Sequence, residues 1–209
     1  MSRLRTAPTK SALLNLRKQV RFLEDGHALL ERKRELLTRL VYQHIKEYQQ
    51  LKGTAHEALR KAYRWLGIAQ LRMGDRGIAQ ATLGATPSTS MRVLPRRALG
   101  VQYPSVEASV VAPQPVGLLG TDPSFDEARR AFAQAAVHLA ELAAVEMALN
   151  RLISEQRKAQ KRVNALKYNI IPSYVKVIKS IAEALEEEER GTLFQIKRLR
   201  DASARKHST

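Results

Sequence analysis

The residues that could carry out catalysis or bind a metal are few and lie far apart in the sequence. There is no cysteine, so thiol chemistry, disulfides and cysteine-ligated metals are excluded. No glycine-rich phosphate loop and no nucleophile motif is present. We therefore predict a non-catalytic protein with no cofactor and no metal site. The five histidines are His27, His44, His56, His138 and His207.

Charge is the next chemical feature. The formal net charge is +16, which favours an acidic partner: nucleic acid, an anionic membrane surface or an acidic protein surface. The run Glu186–Glu189 would point around a helix, so it predicts a solvated or partner-facing band and not a paired-carboxylate site. Few aromatic residues and no nucleic-acid-binding motif are present, so we expect no nucleic acid partner.

No apolar run approaches the ~20 residues of a membrane-spanning helix. The first ten residues also lack the apolar core of a signal peptide. We therefore expect a soluble, intracellular protein without direct membrane insertion.

A helix is predicted from Pro8 to about Arg72, with Thr9 as its N-cap. Apolar positions in it recur at alternating spacings of three and four residues, and we call such a row a seam. A seam of this length predicts a coiled coil. The polar seam residues His27, His44 and Arg34 are expected to set the register between helices. The first seam consists of Leu13, Leu16, Val20, Leu23, His27, Leu30, Arg34, Leu37, Val41, His44, Tyr48, Leu51, Ala55, Ala58, Ala62 and Trp65.

A second long helix is predicted to begin near Pro123, because proline and acidic residues suit a first helical turn. Pro172 lies inside it, where a proline normally costs about 3 kcal/mol. Ile170 and Tyr174 keep the spacing on either side, so we predict a continuous helix with a local bend. The second seam consists of Ala128, Phe132, Ala135, Leu139, Leu142, Glu146, Leu149, Ile153, Gln156, Gln160, Val163, Lys167, Ile170, Tyr174, Val177, Ile181 and Ala184.

The segment between the two helices loses the helical period. Two short strands are predicted, at Met91–Leu94 and Gly100–Val111. Pro95 and Pro104 restrict them to sheet edges.

The predicted fold is mainly α: two very long helices forming an antiparallel coiled coil, with a small β-hairpin insert at its tip. Three regions follow from this pattern. They are the N-terminal shaft helix (1–73), the loop and hairpin region (74–122), and the C-terminal shaft helix with its basic tail (123–209).

Several stretches resemble the D subunit of the V/A-type rotary ATPases. Pro8–Leu36 has the family's Pro-Thr-Lys start, its leucines and its Gly-His-x-Leu-Leu-x-x-Lys-Arg-like block, with Glu31 where lysine is usual. Arg96–Pro104 resembles the family's hairpin, which has a Gly-Val step and a following proline. Arg162–Pro172 is similar to the string Arg-Val-Asn-Ala-Leu-Glu-x-x-x-Ile-Pro, with Lys167 in place of the acid. The later stretch Thr192–Arg200 resembles the family's phenylalanine- and Lys/Arg-rich exit.

The resemblance implies a central-stalk rotor that enters a hexamer of A and B subunits. Its far end would bind the F subunit and rest on the funnel-shaped subunit that caps the membrane ring. Rotation would couple ATP hydrolysis or synthesis to proton or sodium movement. The rotor would be cytoplasmic and peripheral to the membrane. A basic coiled-coil protein that packages nucleic acid is the alternative.

Two sets of candidate contact residues and one set of motif residues follow from the resemblance and the charge pattern. The hexamer-contact candidates are Lys10, Arg17, Lys18, Lys161, Arg162, Lys197, Arg198 and Arg200. The stalk-partner candidates in the hairpin are Arg96, Arg97, Gly100, Val101, Tyr103 and Pro104. The shaft-motif residues are Gly26, His27, Arg34, Asn164, Leu166 and Pro172.

Overall fold

The protein is mainly helical, with one two-stranded antiparallel hairpin, as the sequence predicts. The computed structural model describes residues 7–112, 114, 116 and 120–207, and their side chains as far as residue 201. In chain order the elements are helix α1 (Lys10–Leu83), strand β1 (Thr89–Ala98), strand β2 (Val101–Val110), helix α2 (Pro123–Ala165), a π-helical turn (Leu166–Ile170) and helix α3 (Ile171–His207).

Helix α1 begins at its predicted cap. The backbone N–H of Ala12 donates to Thr9 Oγ1 at 3.2 Å, and that of Leu13 donates to the Thr9 carbonyl at 3.0 Å. Every residue of the first seam, from Leu13 to Trp65, is buried or half-buried. The alternating spacing therefore identifies the packed face of α1 correctly.

The end of α1 differs from the prediction. The backbone of Gly74 is non-helical, with φ 68° and ψ 166°, but helix resumes and continues to Leu83. Glycine adopts positive φ without steric cost, so it allows this break. The stretch after the break is held by packing, because Ala81 joins a buried cluster with Ala69 and Phe125. Tertiary contacts thus supply a helix that the local periodicity does not predict.

The chain folds as two compact units. The terminal unit comprises residues Met1–Arg34 and Lys158–Thr209, and the central unit comprises Glu35–Arg157. In the terminal unit, Lys10 pairs with Glu189, whereas Arg34, further along α1, bonds to the earlier residue Gln160. The helices of this unit therefore run antiparallel.

The central unit has the same antiparallel sense. The Tyr63 and Phe132 rings meet edge to face with centroids 5.4 Å apart. Further along α1, Arg72 lies 3.3 Å from the carboxylate of the earlier residue Asp122. Ala62 is fully buried in a cluster of small side chains beside the aromatic pair, so close helix approach supplies the core of this region.

The second seam is only partly correct. Leu139, Glu146 and Ala184 are exposed, although the spacing places them on the packed face. Ala148 and Leu152, which the spacing omits, are buried instead. Alanine-rich sequence offers apolar residues on several sides of a helix, so spacing alone does not select the packed side.

Helix continues through Pro172, as predicted, but the seam does not keep its phase. Lys167 and Ile170 are exposed, whereas Leu166 and Ile171 are half-buried. The N–H of Ile171 donates to the carbonyl of Leu166, five residues earlier, so one turn holds an extra residue. Proline lacks an N–H and its ring crowds the carbonyl four residues before it. The π turn directly before Pro172 changes this register locally.

Asp122 caps the start of α2. Its carboxylate accepts hydrogen bonds from the hydroxyl and the backbone N–H of Ser124, the latter at 2.8 Å. Arg72 Nη1 lies 3.3 Å from both carboxylate oxygens. The hydrogen bonds from Ser124, and then Arg72, lower the pKa of Asp122. The predicted helix start at Pro123 is confirmed.

Both hairpin strands are edges, as predicted. Ala98 pairs with Val101 across a two-residue turn whose central residues, Leu99 and Gly100, both have positive φ. Pro95 pairs with Pro104. Hydrogen-bonded pairs alternate along an antiparallel ladder, and a proline pair has no N–H to exchange. The prolines therefore occupy a non-hydrogen-bonded pair, and each removes a donor from the outer edge of its strand.

One helical stretch is longer and more apolar than expected from the sequence, which predicts no apolar run near the length of a membrane span. Within Pro123–Asp201, an 18-residue window with at most two charged residues meets the length and composition of a membrane span. Core helices of soluble proteins meet the same criteria. Length and composition alone therefore do not identify this stretch as a membrane span.

Candidate functional surfaces

A polar layer interrupts the apolar packing of the terminal unit just before the π turn. Arg34 Nη1 donates to Gln160 Oε1 at 3.0 Å, and Gln160 Nε2 donates to Asn164 Oδ1 at 2.8 Å. Glu31 lies 3.7 Å from Arg34 Nη2 and 3.8 Å from His27 Nδ1. The structure thus brings together three of the shaft-motif residues, His27, Arg34 and Asn164. Hydrogen bonds across the helices oppose sliding of one helix along the other.

The rest of the shaft motif has different surroundings. Leu166 and Pro172 flank the extra residue of the π turn and are half-buried. Gly26 has open space where a Cβ would lie, so packing does not explain this glycine. His27 Nε2 is buried and finds no hydrogen-bond partner in the described part of the chain. Among the described residues, no three His, Asp or Glu side chains form a group that could hold a metal.

All eight hexamer-contact candidates lie in the terminal unit and are exposed. This unit contains 21 Lys and Arg against 9 Asp and Glu, a formal charge of +12. The central unit contains 15 against 11, a formal charge of +4. Most of the positive charge of the chain therefore belongs to one unit.

One candidate cation is paired within the unit. Lys10 Nζ lies 2.7 Å from Glu189 Oε1, and this hydrogen bond raises the pKa of Lys10 and lowers the pKa of Glu189. Both side chains are largely exposed, so solvent weakens the interaction. In the part of the chain that the structure describes, Lys161 and Arg162 have no such ion pair. These two cations are therefore better placed than Lys10 to meet a partner.

Part of the hairpin set has a structural role. Val101 is buried, and the Tyr103 ring meets the His44 ring edge to face at 5.9 Å. Arg151 Nη1 donates to the carbonyl of Gln102 at 2.9 Å. These contacts fix β2 to the helices of the central unit, so Val101 and Tyr103 face inward.

The other side of the hairpin is open. Arg97 and Gly100 are exposed, and Pro104 is half-buried. Arg96 is exposed as well, but it pairs with Tyr103 and therefore lies on the face of the hairpin that this ring occupies. Val93 is 66% exposed. The hairpin therefore offers a surface of mixed apolar and cationic character.

Sequence reasoning misses an apolar patch near the end of α3. Its four large side chains are exposed by 56% to 71% and lie among the candidate cations. Spacing of three residues is the available signal, but the family resemblance draws attention to the phenylalanine and the basic residues of this stretch and not to an apolar patch. The patch consists of Leu193, Phe194, Ile196 and Leu199.

Comparison with known proteins gives one consistent result. Residues 12–201 match the model of the family described as the D subunit of ATP synthase. The chain is 34% identical over 200 residues to the V-type ATP synthase D subunit of Thermotoga neapolitana, covering 95% of this chain and 98% of that protein. It is 31% identical over 206 residues to the A-type ATP synthase D subunit of Methanopyrus kandleri, with 95% and 87% covered. For the A-type D subunit of Pyrococcus furiosus the identity is 30% over 201 residues, with 94% of each covered.

These matches give no support to the nucleic-acid alternative. They extend from the first turn of α1 to the basic end of α3, through the hairpin and the π turn. The chain belongs to the family of ATP synthase D subunits.

Proposed function

We propose that this chain is the non-catalytic central-stalk rotor of a V/A-type ATP synthase. Its terminal unit turns inside the hexamer of A and B subunits. This rotation couples ATP hydrolysis or synthesis there to proton or sodium translocation. The complex holds the chain at the cytoplasmic side, peripheral to the membrane. The observation that carries the proposal is the formal charge of +12 in the terminal unit of a chain that matches the D-subunit family along its length.

Charge suits a surface that must turn against another. Interactions between exposed charges act over about 8–10 Å at physiological ionic strength, so they change gradually as the surfaces slide. Lys161 and Arg162 would meet acidic loops of the hexamer, while Glu186–Glu189 form an acidic band, so that the unit presents unlike surfaces. Unlike faces interact differently with three equivalent catalytic sites. Rotor angle and nucleotide occupancy then bias one another through a coupling free energy.

The central unit supplies the contacts to the stalk. In this proposal the exposed side of the hairpin binds the F subunit. The central unit also contacts the funnel-shaped subunit above the membrane ring. Pro95 and Pro104 each remove an outward donor, which disfavours extension of the sheet by a partner strand. Docking therefore uses side chains such as Val93 and Arg97, which project from the same face of β1.

Reversing the charge of Lys161 and Arg162 tests the rotor contact. The double variant Lys161→Glu/Arg162→Glu should reduce ATP-driven ion transport by reconstituted complex roughly fivefold or more, because attraction becomes repulsion at two sites. The matched control is Arg60→Glu/Lys61→Glu, an exposed cationic pair on α1 in the central unit. Equal transport by both variants and the natural chain would contradict the proposal.

Removing the hairpin tests the stalk contact. Deletion of Met91–Ser109 joins Ser90 directly to Val110. These two residues are already neighbours across the hairpin, because Thr89 pairs with Val110 and Ser90 with Ser109. The helical signal in circular dichroism should be unchanged, whereas the affinity for the F subunit in a capture assay should fall at least tenfold. Normal capture together with a normal ATPase rate would show that the hairpin has another role.

A further inference from the structure

A cavity of about 520 Å³ opens in the central unit. It lies between the last stretch of α1, the connection to β1 and the first turns of α2. Leu66, Ile78 and Phe132 give it an apolar floor, and Thr86 and Ser88 place hydroxyl groups at its rim. This volume lies in the range of about 300–1,000 Å³ that is usual for ligand-binding clefts, which are lined mainly by apolar side chains with a few polar groups.

Arg129 lines this cavity with an incompletely paired guanidinium. Its side chain is 10% exposed, so nine-tenths of it is buried. Nη1 donates to the carbonyl of Gln114 at 3.0 Å and lies 3.5 Å from Asp126 Oδ1. Nη2 is buried and has no hydrogen-bond partner among the residues that the structure describes. A buried guanidinium with an unused donor is costly, because water no longer satisfies it.

The next residue shows the ordinary arrangement. The Arg130 side chain is 60% exposed and lies 2.8 Å from Glu127, one turn away. Arg129 instead lines the cavity beside the Phe125 ring, with its carbon Cζ 5.9 Å from the ring centre. Local helix pairing therefore leaves Arg129 short of one acceptor.

A carboxylate is the group that best completes this site. It accepts two parallel hydrogen bonds from a guanidinium and balances its charge. The carboxylate of Asp126 is 47% exposed and faces Nη1, so it does not serve Nη2. Because Nη2 is itself buried, the guanidinium must rotate toward the cavity to present this nitrogen to an incoming group. The apolar floor then requires an apolar side chain next to that carboxylate.

We propose that this cavity is a docking site for a segment of another protein that places an Asp or Glu carboxylate on Arg129 and an apolar side chain on the floor. The inference rests on the proposed function only for the source of the segment, another protein of the stalk. Binding itself is a property of the isolated chain.

Two capped tripeptides serve as probes: acetyl-Phe-Glu-Leu-amide and its uncharged match, acetyl-Phe-Gln-Leu-amide. They are titrated into the full-length, ¹⁵N-labelled chain, and the backbone amides of Ala128, Ala133 and Ala136 are followed by NMR. The Glu peptide should bind about tenfold more tightly, because its hydrogen bond to the guanidinium is charge-assisted.

Variants locate the effect. Arg129→Gln should abolish the preference for the Glu peptide, and the matched control Arg130→Gln should keep it. Ala133→Leu, which fills the cavity, should weaken both peptides. Equal binding of the two peptides by the natural chain would overturn the proposal. An unchanged preference for the Glu peptide in the Arg129→Gln variant would also overturn it. Ion transport by the Lys161→Glu/Arg162→Glu variant tests the rotor proposal, and peptide binding by the isolated chain tests the cavity. Each result can fail without changing the other, so failure of one proposal is distinguishable from failure of the other.

Discussion

Replacing Leu152 by alanine should lower the free energy of unfolding of the central unit by about 2–5 kcal/mol. Leu152 is completely buried, so the substitution removes apolar contacts and leaves a cavity. Trp65 is the only tryptophan and lies beside a buried cluster of the same unit. Its fluorescence during urea denaturation therefore reports on this unit, and the midpoint should fall while the slope stays constant.

Leu139→Ala is the matched control. Leu139 belongs to the seam predicted from spacing, but its side chain is 40% exposed. Its replacement should cost less than about 1 kcal/mol, because little apolar surface returns to water. A larger loss of stability from Leu139→Ala than from Leu152→Ala would contradict the structure. It would show that the packed face of α2 is the one predicted from the spacing of apolar residues.

Deleting Asn169 should lower the free energy of unfolding of the terminal unit by about 3 kcal/mol. The deletion removes the extra residue of the π turn, which then closes as an ordinary α-helical turn. Leu166 and Ile171 stay on one face, now four residues apart. Pro172, however, then lies inside a regular helix, where its ring meets the carbonyl one turn earlier.

A second substitution separates these two effects. In a Pro172→Ala background, the same deletion should cost less than about 1 kcal/mol, because no ring opposes the regular helix. Pro172→Ala alone is the control, and thermal unfolding followed by circular dichroism is the measurement. An equal loss in both backgrounds would mean that the π turn serves packing and does not accommodate the proline.

The first seam was predictable from the sequence because ten of its sixteen positions carry large apolar or aromatic residues at an unbroken alternation of three and four. Leu16, Val20 and Leu37 are buried where the spacing places them. The second helix gives a weaker signal. Ala144 and Ala148 are no more apolar than exposed alanines nearby, so the packed face depends on which small residues the partner helix approaches.

Two other features need contacts between residues distant in sequence. The extra residue of the π turn is visible only once Leu166 and Ile171 are both known to be half-buried. The unpaired donor of Arg129 depends on the carbonyl of Gln114, which no periodic pattern places beside it. The family motifs single out His27, Arg34 and Asn164 on separate helices, but only the structure shows that hydrogen bonds and charge contacts join them in one layer.

The facing prolines of the hairpin have a consequence for the life of the protein before assembly. In the proposed role, each newly made copy exists alone until its partners arrive, and its two strand edges are then open to other copies. Pro95 and Pro104 interrupt the row of donors on both edges. Free chains are thereby protected from joining edge to edge into aggregates, and the hairpin stays available for its proper neighbours.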